Sequence, residues 1–85
     1  MSIGQIVTEY EDQPGTIYLT QRPAVAVLPD GRRIRPGYRV TGSYARENDV
    51  HGAVIGWDVE QVVITWDSGS IKLGPQDILT IEEVR

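Results

Sequence analysis

Glycine and proline set the first limit on this fold. Nine glycines and five prolines are spread along the chain rather than gathered in one place. Between them no window longer than about eight residues repeats its apolar positions with helical spacing. Val, Ile and Thr are abundant instead, and branching at Cβ suits them to extended backbone. The chain therefore reads as strands and turns. Residues 52–69, GAVIGWDVEQVVITWDSG, show this best: two β-rich runs flank the polar patch Asp58 to Gln61, and each run carries one of the two tryptophans.

A pass along the chain places the elements. Residues 3–10 predict a first strand weakened by Gly4, and Glu11 to Gly15 predict a turn. Thr16 to Thr20 predict a short strand, interrupted by Arg22-Pro23. Ala24 to Leu28 and Arg33 to Arg35, joined by Pro29-Asp30-Gly31-Arg32, predict a hairpin. Pro36-Gly37 marks the next turn. Tyr38 to Tyr44 follow as a strand with a bulge expected at Gly42. Ala45 to Val50 read as a polar loop, and His51 to Trp57, Val62 to Asp67, Ser70 to Leu73 and Ile78 to Val84 as strands. Gly74 to Asp77 form a turn, with a single 3₁₀ turn as an option.

Strand parity assigns faces, because side chains alternate with period two. Val62, Ile64 and Trp66 share a face, which is placed inward. For His51 to Trp57 two assignments stand: Ile55 and Trp57 inward, or Val54 inward with glycines admitting a close neighbouring strand.

Eighty-five residues make one domain that buries roughly 60–65 % of its unfolded surface. With no cysteine, disulfides and thiolate metal sites are excluded. No apolar run approaches the roughly 20 residues of a membrane helix. The start, Met1-Ser2-Ile3-Gly4-Gln5, carries neither a basic nor an apolar leader region. A soluble cytoplasmic protein without membrane contact is expected.

The net charge of −4 conceals a basic middle. Residues 30–46 carry Arg32, Arg33, Arg35, Arg39 and Arg46 against Asp30, while the flanking segments are acidic. Such a middle either docks an anion or pairs with the acidic segments across neighbouring strands, and pairing is the expected use.

Four groups of residues carry a family resemblance: Pro36-Gly37-Tyr38-Arg39-Val40, Gly52-Ala53-Val54, Val62 to Gly69, and Asp77-Ile78-Leu79. Over residues 36–81 this pattern resembles the SH3-like barrel group, and within it the Tudor-like and KOW-like modules. The resemblance implies an all-β fold, a small SH3-like barrel of five or more antiparallel strands. Residues 1–35 would add an N-terminal strand or hairpin extension to a barrel of residues 36–85. It implies a binding module before an enzyme. Tudor-like barrels hold methylated Lys or Arg in aromatic cages, and Tyr38, Tyr44, Trp57 and Trp66 lie in the matching region. KOW-like barrels meet RNA or ribosomal proteins, and the Arg32–Arg39 stretch with Tyr38 would serve that use, although an overall pI near 4.7 opposes it.

Gly52 to Trp57 and Ser70 to Pro75 also look like the plasmid-type dihydrofolate reductase, an oligomeric SH3-like barrel. Its Gln-Ile-Tyr triplet is matched here by Lys72-Leu73-Gly74, so the amide and phenol it uses are missing.

No catalytic constellation emerges. His51 stands alone apart from Asp49, the serines have no nucleophile elbow, and adjacent carboxylates such as Glu82-Glu83 face opposite sides of a strand. No catalytic residue, metal site or cofactor is assigned. The expected function is a non-enzymatic interaction module for a protein or peptide, with Tyr38, Tyr44, Trp57, Arg33, Arg35 and Arg39 as candidate binding residues. Nucleic-acid binding and a small oligomeric enzyme subunit are the alternatives.

Overall fold

The computed structural model describes residues 4–10 and 24–84, except the side chains of residues 47 and 48. All described strands run antiparallel. Val7–Tyr10 (β1), Ala24–Val27 (β2) and Arg33–Ile34 (β3) form one sheet in that order. Arg39–Tyr44 (β4), Glu47–Trp57 (β5), Val62–Trp66 (β6), Gly69–Leu73 (β7) and Ile78–Glu82 (β8) form a second, ordered β7-β6-β5-β4-β8. A 3₁₀ turn, Pro75–Asp77, precedes β8. The expected turn and strand within residues 11–23 lie outside the described residues.

The second sheet is not the closed barrel expected from the sequence. Among the described strands, β7 and β8 end it as two unjoined edges. The 3₁₀ turn carries the chain from β7 across to β4, so β8 pairs with β4 and not with β7. Closure would need the two five-residue edges to meet.

The sheet bends within β5, the longest strand. Its N-terminal part pairs with β4 from Tyr44↔Glu47 to Arg39↔Ala53, and its C-terminal part pairs with β6 from Val54↔Ile64 to Trp57↔Val62. Val54 belongs to both partnerships, since its N–H also donates to the Tyr38 carbonyl at 2.9 Å. Gly52 makes the bend possible. A Cβ there would lie 1.8 Å from the Thr65 carbonyl oxygen, so β6 approaches β5 more closely than any side chain allows. The polar run expected as a loop at 45–50 is strand from Glu47 on, and only Ala45 and Arg46 turn. Pairing with β4 overrides the weak intrinsic strand preference of those residues.

Bulges set which side chains enter the core. Between Val54↔Ile64 and Gly56↔Val63, β5 carries one extra residue, Ile55, which is 54 % exposed. Between Thr41↔Thr80 and Gly42↔Ile78, β8 carries the extra Leu79, 63 % exposed. Each bulge reverses parity. Val54 and Trp57 thus both face the core, as do Ile78 and Ile81. The Val62, Ile64 and Trp66 face is inward as expected: Val62 and Ile64 are fully buried, and Trp66 packs half-buried against them.

One cluster joins both sheets: Ile6, Ala26, Leu28 and Ile34 pack with Val40, Val50, Val54, Val62, Ile64, Leu73 and Ile78. Polar contacts tie the sheets further. Ile6 N–H donates to the Val59 carbonyl at 2.9 Å, and Trp57 Nε1–H donates to Thr8 Oγ1 at 2.8 Å.

Gly52→Ala should cost more than about 3 kcal/mol, because backbone must move to admit the methyl group. Gly56→Ala, whose Cβ would meet nothing within 4 Å, should change stability by less than about 1 kcal/mol. Urea unfolding of the two variants checks the contrast.

Candidate functional site

The outer face of the three-stranded sheet is built by alternation. β2 reads Ala-Val-Ala-Val, so Ala26 faces the core and Val25 and Val27 face away. Glu9 stands opposite Val25, and Arg33 opposite Val27, so Glu9 and Arg33 meet on the diagonal. Arg33 Nη1 lies 3.0 Å from Glu9 Oε1. Val25 is only 2 % exposed although it is outside the core cluster.

Two turns bring the walls up. Arg35-Pro36-Gly37-Tyr38 is closed by Tyr38 N–H donating to the Arg35 carbonyl at 3.1 Å. Proline presets its first corner, and Gly37 takes the positive φ of 93° needed at its second. Tyr38 is thereby folded back beside Arg35. Glu83, just after β8, supplies the last wall. Val25, Arg33, Arg35, Tyr38 and Glu83 line an open cleft of about 150 Å³.

Arg32 is used differently from its neighbours. Its backbone N–H and Nε–H donate to the two carboxylate oxygens of Asp30, at 3.0 and 2.7 Å. Its Nη1 and Nη2 donate to the carbonyls of Ile78 and Pro75, at 2.9 and 3.1 Å. One guanidinium thus fastens the β2–β3 turn to the 3₁₀ turn and β8. The Asp30 carboxyl is held below its ordinary value, chiefly by the Arg32 backbone N–H. Desolvation opposes this, and the Arg32 side chain adds to it. Asp58 is lowered as well, by N–H groups of Glu60 and Gln61 that donate to its Oδ1.

The candidate residues divide. Arg33, Arg35 and Tyr38 gather at the cleft. Arg39 is exposed on β4 beside Glu82 of β8. Tyr44 lies at the far end of β4, about 17 Å along the strand from Arg39. Trp57 ends β5 on the inner side, held by Thr8. His51 meets Trp66 edge to face at 5.7 Å. Val25, Glu83 and Glu9 are not singled out by the sequence. The Ala-Val-Ala-Val alternation is the only signal that would have pointed to Val25. Among the described residues no three His, Asp or Glu side chains are placed to hold a metal ion. No described helix is long and apolar enough to cross a membrane.

The chain matches no protein-family model, no curated protein and no solved structure.

A carboxylate with a lowered folded pKa stabilises the fold above its unfolded pKa, and that stabilisation disappears as pH falls through the folded pKa. Asp30→Asn should therefore unfold at lower urea than the parent at pH 7. The gap should close as pH falls from the ordinary value of 3.8 downwards. Urea midpoints across pH 7 to 2 check both the sign and the window.

Proposed function

We propose that this protein is a non-enzymatic interaction module that takes a segment of a protein partner in the cleft at Val25, Arg33, Arg35 and Tyr38. The observation that carries this is Val25. It is an apolar side chain on the outer face of a small sheet, 2 % exposed, and it shares the cleft lining with two arginines and a tyrosine. Arginine and tyrosine are the residues that most often anchor protein interfaces, because both combine an apolar body with directed polar groups. A cleft of this size suits one or two side chains rather than a nucleotide cofactor.

The framework is proposed to be SH3-like. In support, β8 returns after a 3₁₀ turn to pair with β4, the first strand of the β4–β7 meander. A cytoplasmic location is part of this proposal, and the absence of cysteine is compatible with it. Its aromatic residues do not support a methyl-lysine cage, since Tyr44 and Trp57 stand at opposite ends of their strands. Nor does the basic stretch support a phosphate track. Arg32 is held by Asp30, Arg33 by Glu9, Arg39 stands opposite Glu82, and Arg35 shares the cleft with Glu83.

Peptides selected on the immobilised protein from a random display library should shift backbone NMR signals around residues 25, 33, 35, 38 and 83. Arg35→Ala should weaken them about tenfold, roughly 1.4 kcal/mol, and Tyr44→Ala should leave them unchanged. Selection of no peptide, or shifts centred elsewhere, overturns the reading.

A further inference from the structure

We propose that Asp67 is a site of spontaneous covalent modification, where the side chain cyclises onto the Ser68 nitrogen and reopens as isoaspartate and D-aspartate. This chemistry is independent of the cleft.

Water is the only reagent. The Ser68 nitrogen attacks Asp67 Cγ and a carbon–nitrogen bond forms. One carboxylate oxygen leaves as water, with the amide proton and one proton from solvent. In the resulting five-membered imide the ring carbonyl acidifies the Cα proton, which solvent removes and returns to either face. Water then reopens the ring. Addition at Cγ breaks the new bond and restores aspartate. Addition at the main-chain carbonyl breaks the original peptide bond and leaves isoaspartate.

Cyclisation needs a carboxylate that nothing holds, a following N–H that nothing holds, and a small following side chain. The described aspartates are Asp30, Asp49, Asp58, Asp67 and Asp77, and among them Asp67 alone meets all three needs. Asp49, Asp58 and Asp77 precede Val50, Val59 and Ile78, whose branching at Cβ crowds the nitrogen. The Ile78 N–H is also engaged, by the Pro75 carbonyl. Asp30 precedes Gly31, the least crowded successor of all, yet both partners are held. Its carboxylate accepts from Arg32 N–H and Nε–H at 3.0 and 2.7 Å, and Gly31 N–H donates to the Leu28 carbonyl at 2.8 Å. At Asp67 and Ser68 both residues are exposed, and neither the carboxylate nor the Ser68 N–H has a partner among the described residues.

The turn also selects a product. Trp66 pairs with Gly69, which leaves Asp67 and Ser68 as a two-residue connection between β6 and β7. Asp67 sits there at a φ of 51°. Left-handed backbone is costly for an L residue and natural for a D residue, and such turns accept D residues readily. Isoaspartate lengthens the backbone of this short connection, whereas D-aspartate keeps its length. Both L forms re-enter the cycle, so D-aspartate accumulates.

The test incubates the full chain at neutral pH, folded and in urea, and digests samples with a protease that cuts only before ordinary L-aspartate. Loss of the cut at Asp67 joins residues 58–76 in one fragment, whose only aspartates are Asp58 and Asp67. Chiral analysis of its hydrolysate reads the D share. In the folded chain the cut at Asp67 should be lost at least about tenfold faster than the cut at Asp30, which is freed only when its hydrogen bonds open. In urea the order should reverse in favour of Asp30-Gly31. The D share of the joined fragment should be at least about twofold higher from folded chain than from urea. Ser68→Val, its fold checked by a thermal melt, should keep the cut at Asp67. A cut at Asp67 that lasts as long as those at Asp49 and Asp58 in the folded parent overturns the site. Unchanged loss in folded Ser68→Val overturns cyclisation onto that nitrogen. Equal loss at Asp30 and Asp67 in the folded chain overturns the protection of Asp30. A joined fragment holding L-aspartate alone overturns the D product.

Discussion

The close approach of β6 to β5 at Gly52 is the constraint on which the second sheet depends. It lets one strand serve two partners, first β4 and then β6, with the Thr65 carbonyl occupying the space a side chain would need. The Ala53 N–H donates to Thr65 Oγ1 at 2.9 Å at the same point, so the backbone group displaced by the bend keeps a partner. Gly42 plays a similar part near the other edge, where a Cβ would lie 2.2 Å from the Asp77 carbonyl oxygen. Two glycines without room for a methyl group thus hold the ends of the core, and large aliphatic side chains fill the space between.

Much of the fold was legible because its punctuation is strong. The hairpin at 24–35, the Pro36-Gly37 turn, the strand from Val62 and the 3₁₀ turn before β8 each follow from local chemistry. Parity failed where a bulge intervenes. The two assignments weighed for His51 to Trp57 are each half right: Val54 is buried, and Trp57 packs on the same core three residues later. No period-two rule yields that spacing, because the extra residue depends on the register with β6. Closure of a barrel also depends on which strands meet across space, and among the described strands β8 joins β4 alone.

The site was legible in its charges more than in its aromatics. The alternation of basic and acidic segments along the chain becomes alternation across strands, with Arg33 against Glu9 and Arg39 against Glu82. Arg33, Arg35 and Tyr38 follow from one tight turn and were close in sequence to begin with. Glu83 and Glu9 come to them from opposite ends of the chain, and nothing local announces such a meeting. The aromatic residues were grouped by sequence distance, whereas β5 and its neighbours spread them along their length.

Arg32 carries a consequence for the order in which the molecule assembles. Its bonds to Pro75 and Ile78 span 43 and 46 positions, so closing them costs more loop entropy than a local turn does. Local pairings such as β6 with β7 close small loops and come early. The guanidinium is thus a long-range bolt between the β2–β3 turn of the small sheet and the start of β8 in the large one.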